Sequence, residues 1–331
     1  LSRVERSRAF LDAAKLSDDW LASMRSRALA REAHCAMHLE GARLTMEQSQ
    51  RVLGSQVVPE ADRDDARELL NYSEALRFAS AELDNGEPLT EGLIRDLHKR
   101  LVNGSVRGDG APGEYRRVDG YVIKAGTREV VYQPPAAADV PVLVAELVAW
   151  LNAETAAHPV LVAGVAQLQL AHIHPFLHGN GRAARVLATV VLSRSGYGLK
   201  GLVPISEHHD RNRPALSRAL QGVRHSGMDL TGWLEFFAEG LATQLDRLKS
   251  QMDREIQRAV VARHGLTERQ AAAVGRVLGE GRLTIEDFQR LCPGAPRRAL
   301  QRELKHLADK GLLRRAGPAN RPQYLAGSEL E

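Results

Sequence analysis

Residues 174–185 read His174-Pro-Phe-Leu-His178-Gly-Asn-Gly-Arg182-Ala-Ala-Arg185, and this dozen decides how the rest of the chain is read. Upstream, Val160 to Ala171 is apolar with few breaks and predicts a buried helix. Pro175 closes that helix at or near His174, because proline lacks an N–H and restricts the residue before it. Gly179-Asn180-Gly181 can turn tightly or left-handedly and lets a ligand approach the backbone. Arg182 to Ser193 then reads as a second helix. The glycines therefore fall at a helix N-terminus, where free N–H groups and the dipole favour an anion. Arg182 and Arg185 share one helical face and can clamp further phosphate oxygens. His174, at the lip of that cradle, is a candidate general base. A base beside a polyphosphate cradle points to transfer of a nucleotide or phosphoryl group to a hydroxyl. Taken singly, the pieces have plainer readings: Gly-Asn-Gly is a common turn between helices, and two arginines can be a solvated face.

The segment resembles the signature of the Fic family, His-x-Phe-x-(Asp/Glu)-Gly-Asn-Gly-Arg-x-x-Arg. Gly113-Glu-Tyr-Arg116, Tyr121-Val-Ile and Val131-Tyr-Gln-Pro-Pro135 are similar to that family's β-hairpin flap and its exit, and Asp229 to Phe237 is similar to its closing helix. The likeness covers roughly residues 30–245. It implies a mainly α fold, a Fic-type helical bundle with a β-hairpin flap. It also implies a protein adenylyltransferase, moving AMP from ATP to a Ser, Thr or Tyr hydroxyl of a target protein. In that scheme His174 deprotonates the target, and Asn180 with the amides of Gly179 and Gly181 holds phosphates. Arg182 and Arg185 bind the β/γ end, and the flap around residues 116–131 takes an extended target segment by strand addition.

Two departures bear on the chemistry. His178 stands where the family carries the carboxylate that holds Mg²⁺, and imidazole is a poor ligand for a hard cation. A protonated His178 could neutralise a phosphate without metal, a neutral one could bind a softer metal, or catalysis could be weakened; Mg²⁺ or Mn²⁺ with ATP as donor stays open. Leu216 and Ser217 stand where the family often has paired tyrosines. Leu216 can pack on a nucleobase but offers no stacking face or phenol, which leaves the donor base open. His172, His174 and His178 raise a metal site as a further option, although Pro175 interrupts their helical spacing. A competing class is a nucleotide-sensing regulator that turns nothing over. Retention of His174 favours the enzyme; His178 and Leu216 favour the sensor.

Many members of the family carry an inhibitory helix, (Ser/Thr)-x-x-x-Glu-(Gly/Asn), whose glutamate pairs with the second motif arginine. Ala36-Met-His-Leu-Glu40-Gly41 fits this pattern except at its first position. Leu29, Ala33, Ala36, Met37 and Glu40 share helical spacing, and Gly41 reads as the helix end. A Glu40–Arg185 pair would compete with phosphate for the arginine. The alternatives are a surface glutamate at a helix C-terminus, or a residue that orients water to remove AMP from a modified target.

The whole chain has 331 residues, a formal net charge of +4 and two cysteines, Cys35 and Cys292, in no metal spacing. That argues for a reducing compartment and against a disulfide framework. No signal core or membrane-spanning run is visible, so a bacterial cytoplasm is expected, without membrane contact. The start at Leu1 leaves room for an upstream segment. The basic balance lies from Glu255 onward, with 14 Lys/Arg against nine Asp/Glu. There Thr267 and Thr284 open two helices, Pro296 sits early in a third, Gly311 closes it, and two short strands flank Gly317-Pro-Ala-Asn320. Helix, helix, turn, helix, hairpin is the order of a winged helix. Arg297, Arg298, Arg302 and Lys305 lie on its third helix and Arg314, Arg315 and Arg321 on its hairpin, while Glu303 and Asp309 dilute the charge. DNA and a protein or homodimer contact are both open as partners. The expected domains are an N-terminal helical segment with the inhibitory helix (1–90), a catalytic core (91–250) and a winged-helix-like domain (255–331).

Overall fold

A computed structural model describes residues 1–14, 17–83, 88–105, 111–123, 130–318 and 322–330. The protein is mainly helical, as the sequence predicts, and divides into two compact units, Leu1–Asp246 and Arg247–Glu331. Among the described residues no helix is long and apolar enough to cross a membrane.

The first unit opens with α1 (Ser2–Ala13), α2 (Asp18–Leu39), α3 (Met46–Leu53), α4 (Arg63–Leu83) and α5 (Glu91–Leu101). Two short strands, β1 (Val122–Ile123) and β2 (Val130–Tyr132), pair antiparallel with a register irregularity. They are the stems of the expected flap; residues 124–129 of that flap lie outside the described residues. Next come α6 (Val140–Asn152), α7 (Pro159–Ile173), α8 (Asn180–Leu192), α9 (Ile205–Arg211), α10 (Arg213–His225) and α11 (Thr231–His264), the last of which ends in the second unit.

The centre of this unit is the pair α7 and α8. α7 is apolar on nearly every side, which is the composition of a helix enclosed by others. His158 caps its start by accepting from Val160 N–H, Pro159 fills the first position, and Pro175 stops it one residue past His174. Trp233 of α11 is fully buried and donates its indole N–H to Gly164 O of α7 at 2.7 Å. α8 begins at Asn180, two residues before the expected start, because Gly179 adopts the left-handed conformation and serves as its N-cap.

α2 is anchored by a buried carboxylate. Glu32 accepts from Tyr72 Oη on α4 at 2.8 Å, and from Ser206 N at 2.7 Å and Ser206 Oγ on α9. Four acceptances by one carboxylate would be saturation; three from two elements already fix the helix against both neighbours. At its C-terminus Asp210 accepts from both His38 and Arg213, and Arg213 also donates to His38 O.

The second unit contains α12 (Glu268–Glu280), β3 (Leu283–Thr284), α13 (Ile285–Leu291), α14 (Arg297–Asp309), β4 (Leu313–Ala316) and β5 (Gln323–Ala326). Thr267 and Thr284 form full capping boxes with Gln270 and Asp287. Leu300, Leu304 and Leu307 of α14 meet Val274, Val277 and Phe288 in one apolar core. The sheet has three strands in the order β3-β5-β4, all antiparallel. Sequence reading anticipates only the hairpin, since a two-residue strand has no periodicity to detect. Asn320 and Arg321, in the turn of that hairpin, lie outside the described residues.

Candidate active site

His174 is the C-cap of α7 and takes the left-handed conformation, φ 52° and ψ 56°. That conformation costs a β-carbon residue about 1–2 kcal/mol and persists only where neighbours hold it. Arg116, buried, is the holder. Its Nε donates to His174 O at 2.9 Å, its backbone N–H donates to Pro175 O at 2.8 Å, and its guanidinium also reaches Val118 O and Pro135 O. One cation thus ties both ends of the flap segment to the backbone at His174. His174 Nδ1 lies 3.4 Å from Ala171 O, a long contact. With the proton on Nδ1, Nε2 is the free basic nitrogen. Burial depresses the His174 pKa; the Ala171 carbonyl opposes this, Arg116 adds to it, Glu40 opposes and Arg224 adds, with a net lowering. The imidazole is neutral at pH 7, the state a base requires.

The loop after His174 is shaped from beneath. Phe176 is fully buried, and the His98 ring of α5 stacks parallel to it at 3.6 Å. Gly113 N–H donates to His98 Nδ1 at 3.0 Å, so the ring proton is on Nε2, which donates to His178 O at 3.0 Å. Burial holds the His98 pKa down to about 4, which keeps this tautomer in place. Asn180 closes the same loop: its Oδ1 accepts from Phe176 N at 2.9 Å and its Nδ2 donates to Phe176 O at 2.8 Å. The Asn180 side chain, expected to hold phosphate, is buried and bonded within the loop, and the backbone amides at the start of α8 are the remaining candidates for an anion.

Glu40, the C-cap of α2, reaches this cradle. Arg185 Nη2 donates to Glu40 Oε1 at 2.7 Å and to Ala36 O at 3.2 Å. The carboxylate also crowds the first turn of α8, since a Cβ on Gly181 would stand 2.6 Å from Glu40 Oε1. Burial raises the Glu40 pKa, but Arg185 and Arg182 outweigh it and the net shift is downward. The side chain keeps 30% exposure against 8% for Arg185, so the pair is half-screened rather than enclosed.

Arg182 is placed differently from its expected partner. Its Nη1 lies 3.3 Å from Glu68 Oε1 of α4, in a pair only 5% and 2% exposed. Glu68 also accepts from Ser105 Oγ at 2.7 Å. Arg182 thus fixes α8 to α4, and Arg185 alone of the two is bonded to Glu40. Each arginine retains a buried Nε with no hydrogen-bond partner among the described residues.

Sequence reading missed a cluster beside His174. Tyr132 Oη donates to His172 O at 3.0 Å and lies 2.9 Å from His172 Nδ1. Arg224, from the last turn of α10, stacks over the Tyr132 ring at 3.6 Å. Leu216 lies half-buried in the first turn of the same helix, and His178 is exposed. Among the described residues no three His, Cys, Asp or Glu side chains come together as a metal cluster, so His172, His174 and His178 form no shared site. His172 instead anchors the flap stem.

The Fic/DOC family pattern matches residues 88–192, which spans α5, the flap stems, α7 and α8. Residues 88–192 are a Fic/DOC family domain. Protein adenylyltransferase Fic of Drosophila willistoni is 30% identical over 200 residues, covering 60% of this chain and 38% of the relative. That of Culex quinquefasciatus is 27% identical over 248 residues, covering 74% and 46%. The chain thus spans less than half the length of these curated relatives. A Fic family protein from Desulfovibrio desulfuricans G20 superposes on 98% of this chain and 95% of its own, with TM-score 0.63 and 24% identity. A Fic domain-containing signaling protein from Bacteroides thetaiotaomicron VPI-5482 covers 74% of this chain and 93% of its own, also at TM-score 0.63, with 25% identity. The Fic domain of this chain therefore sits in a fold shared along nearly the full length of a solved neighbour.

Proposed function

We propose that this protein transfers AMP from ATP to a Ser, Thr or Tyr hydroxyl of another protein, and that Glu40 restrains the reaction. The observation that carries this reading is the seat of the Glu40 carboxylate. It lies on Arg185 and against the first turn of α8, where a phosphate of the donor would bind. An acid in that position is chemically a stand-in for phosphate.

When Glu40 withdraws, Arg185 and the amides at the start of α8 hold the triphosphate. His174 Nε2 takes the proton of the target hydroxyl as its oxygen forms a bond to the α-phosphorus. The bond from that phosphorus to the bridging oxygen breaks, and pyrophosphate leaves with the electron pair. Rate comes from in-line placement and from fixed positive charge at the phosphates rather than from a covalent enzyme intermediate. Val118, Tyr121 and Val130 are exposed apolar residues along the flap stems, suited to an extended target segment that adds a strand.

The residues present do not fit a hard-cation site. His178 occupies the acidic place of the motif and is exposed, and among the described residues no three His, Cys, Asp or Glu side chains gather into a metal cluster. No step is therefore assigned to a protein-held metal. The same exposed His178, together with half-buried Leu216, favours a second reading in which the domain binds nucleotide without turnover. A third, removal of AMP by a water oriented on Glu40, is disfavoured because that carboxylate is engaged by Arg185.

Intact mass after incubation with ATP and either Mg²⁺ or Mn²⁺ tests the proposal. An AMP-sized adduct on Glu40→Gly that disappears in Glu40→Gly/His174→Ala supports transfer with His174 as base, whose loss costs about 10²–10⁴-fold. Equal nucleotide affinity in both variants with no adduct in either supports the sensor.

A further inference from the structure

The second unit carries its charge unevenly. It holds 17 Lys/Arg against 10 Asp/Glu. Several of its basic residues are neutralised by acidic neighbours in the fold: Arg269 by Glu303, Arg276 by Glu280, Arg290 by Asp287 and Arg297 by Glu286. These pairs have structural uses. Arg297–Glu286 ties α14 to α13, and Arg269–Glu303 ties α14 to α12.

Between those braces the outer face of α14 is left positive. Arg298, Gln301, Arg302 and Lys305 are all exposed, and their i, i+3, i+4, i+7 spacing makes one stripe. That stripe lies opposite Leu300, Leu304 and Leu307, which face the core. Among the described residues no ion pair engages Arg298, Arg302 or Lys305. Glu303, the acid nearest in sequence, is taken by Arg269. α14 starts after Pro296 with no side-chain cap, so its first amides add to the positive end. Arg314 and Arg315 are exposed on β4, the strand that follows α14.

We propose that the exposed face of α14 binds double-stranded DNA, with Arg298, Arg302 and Lys305 on backbone phosphates. The geometry favours a duplex over an acidic protein surface. α14 is a single convex helix, the shape a major groove admits, and it is the third helix in a helix–helix–helix–hairpin order. Its one exposed uncharged polar side chain between the arginines is Gln301, an amide that can meet a base edge. This inference is independent of the transferase reading.

The test uses the full chain, titrated into a labelled mixed-sequence duplex of about 30 base pairs at salt from about 50 to 200 mM, with binding read by fluorescence anisotropy. Arg298→Ala/Arg302→Ala/Lys305→Ala should weaken binding and make the slope of log affinity against log salt shallower by about 2–3. Arg254→Ala/Arg258→Ala/Arg263→Ala removes the same charge from exposed sites on α11 and should change the slope by less than about 1. Circular dichroism confirms that both variants are folded. The proposal is overturned by no binding at the lowest salt, by equal losses in the two variants, or by polyglutamate binding as tightly as the duplex.

Discussion

Glu40 Oε1 lies 2.6 Å from the position a Cβ would take on Gly181, across more than a hundred residues of intervening chain. Under the proposed function the glycine would serve two parties, the carboxylate in the restrained state and a phosphate in the active one. Gly181→Ala should push the flexible end of Glu40 aside and also narrow the cradle. In the parent chain ATP affinity should change little, because the two effects oppose. In the Glu40→Gly background only the second survives, and Gly181→Ala should weaken ATP binding about tenfold, or roughly 1.4 kcal/mol. Calorimetric titration of the four proteins checks this.

Removing Glu40 leaves the Arg185 guanidinium with Ala36 O as its hydrogen-bond partner among the described residues. Glu40→Gly should cost about 1–2 kcal/mol of stability, the loss of a partly exposed charged hydrogen bond. ATP should return more than that loss by binding the freed arginine, so the thermal shift on adding nucleotide should be larger in the variant than in the parent. Scanning calorimetry at matched ATP concentrations measures both.

His178 is exposed and its replacement disturbs no packing. His178→Asp should leave stability within about 0.5 kcal/mol. It supplies the hard oxygen that the motif lacks, so in the Glu40→Gly background it should make adduct formation steeply dependent on Mg²⁺, about tenfold faster with the cation than in chelator. Equal rates with and without chelator in that variant would remove the role assigned to the motif's acidic position.

His98 gives the first unit an acid-sensitive joint. Its pKa falls from 6.5 to about 4 on burial, so the unfolded chain binds the proton more readily between those values. Stability contributed by the neutral ring is complete above pH 6.5, declines as pH drops through the window, and is gone below about 4. The slope is at most about 1.4 kcal/mol per pH unit. His209, pushed by burial to about 3, extends the decline further. His98→Gln should lower the urea midpoint at pH 7.5 but shrink the difference between pH 7.5 and pH 4.5, which paired denaturation curves detect.

How much of this was legible in sequence depends on how far apart the partners lie. His174, Gly179, Gly181 and Arg185 fall within one dozen residues, and their places at the end of α7 and the start of α8 follow from helix ends and spacing. Glu40 was legible as a motif with one altered position, and the 2.7 Å bond to Arg185 matches it. Arg182 carried the same local signal as Arg185, yet Glu68 claims it, and nothing in the sequence around Glu68 announces an arginine partner. Asn180 likewise looked free to bind phosphate until the loop folded back on it. Arg116, His98 and Arg224 were missed because each acts through tertiary contacts: backbone carbonyls, a ring face or a phenol brought close by other helices. Periodicity and capping describe a single element and are silent on which elements meet.

The anchoring of α2 carries one last consequence. Glu32 is bolted to α4 and α9 two turns before the helix ends, while Glu40 sits at the unwound tip with its carboxylate one-third exposed. Under the proposed function, the occupied and vacated cradles would therefore differ by a short movement at the tip and not by a swing of the helix. A screened contact of about 1–2 kcal/mol would set the ratio of those populations between about five and about thirty to one. Under the proposed function, latency on that scale is a dimmer setting: between about 3 and 16 per cent of molecules would stand open at any moment, and donor concentration alone would raise that share.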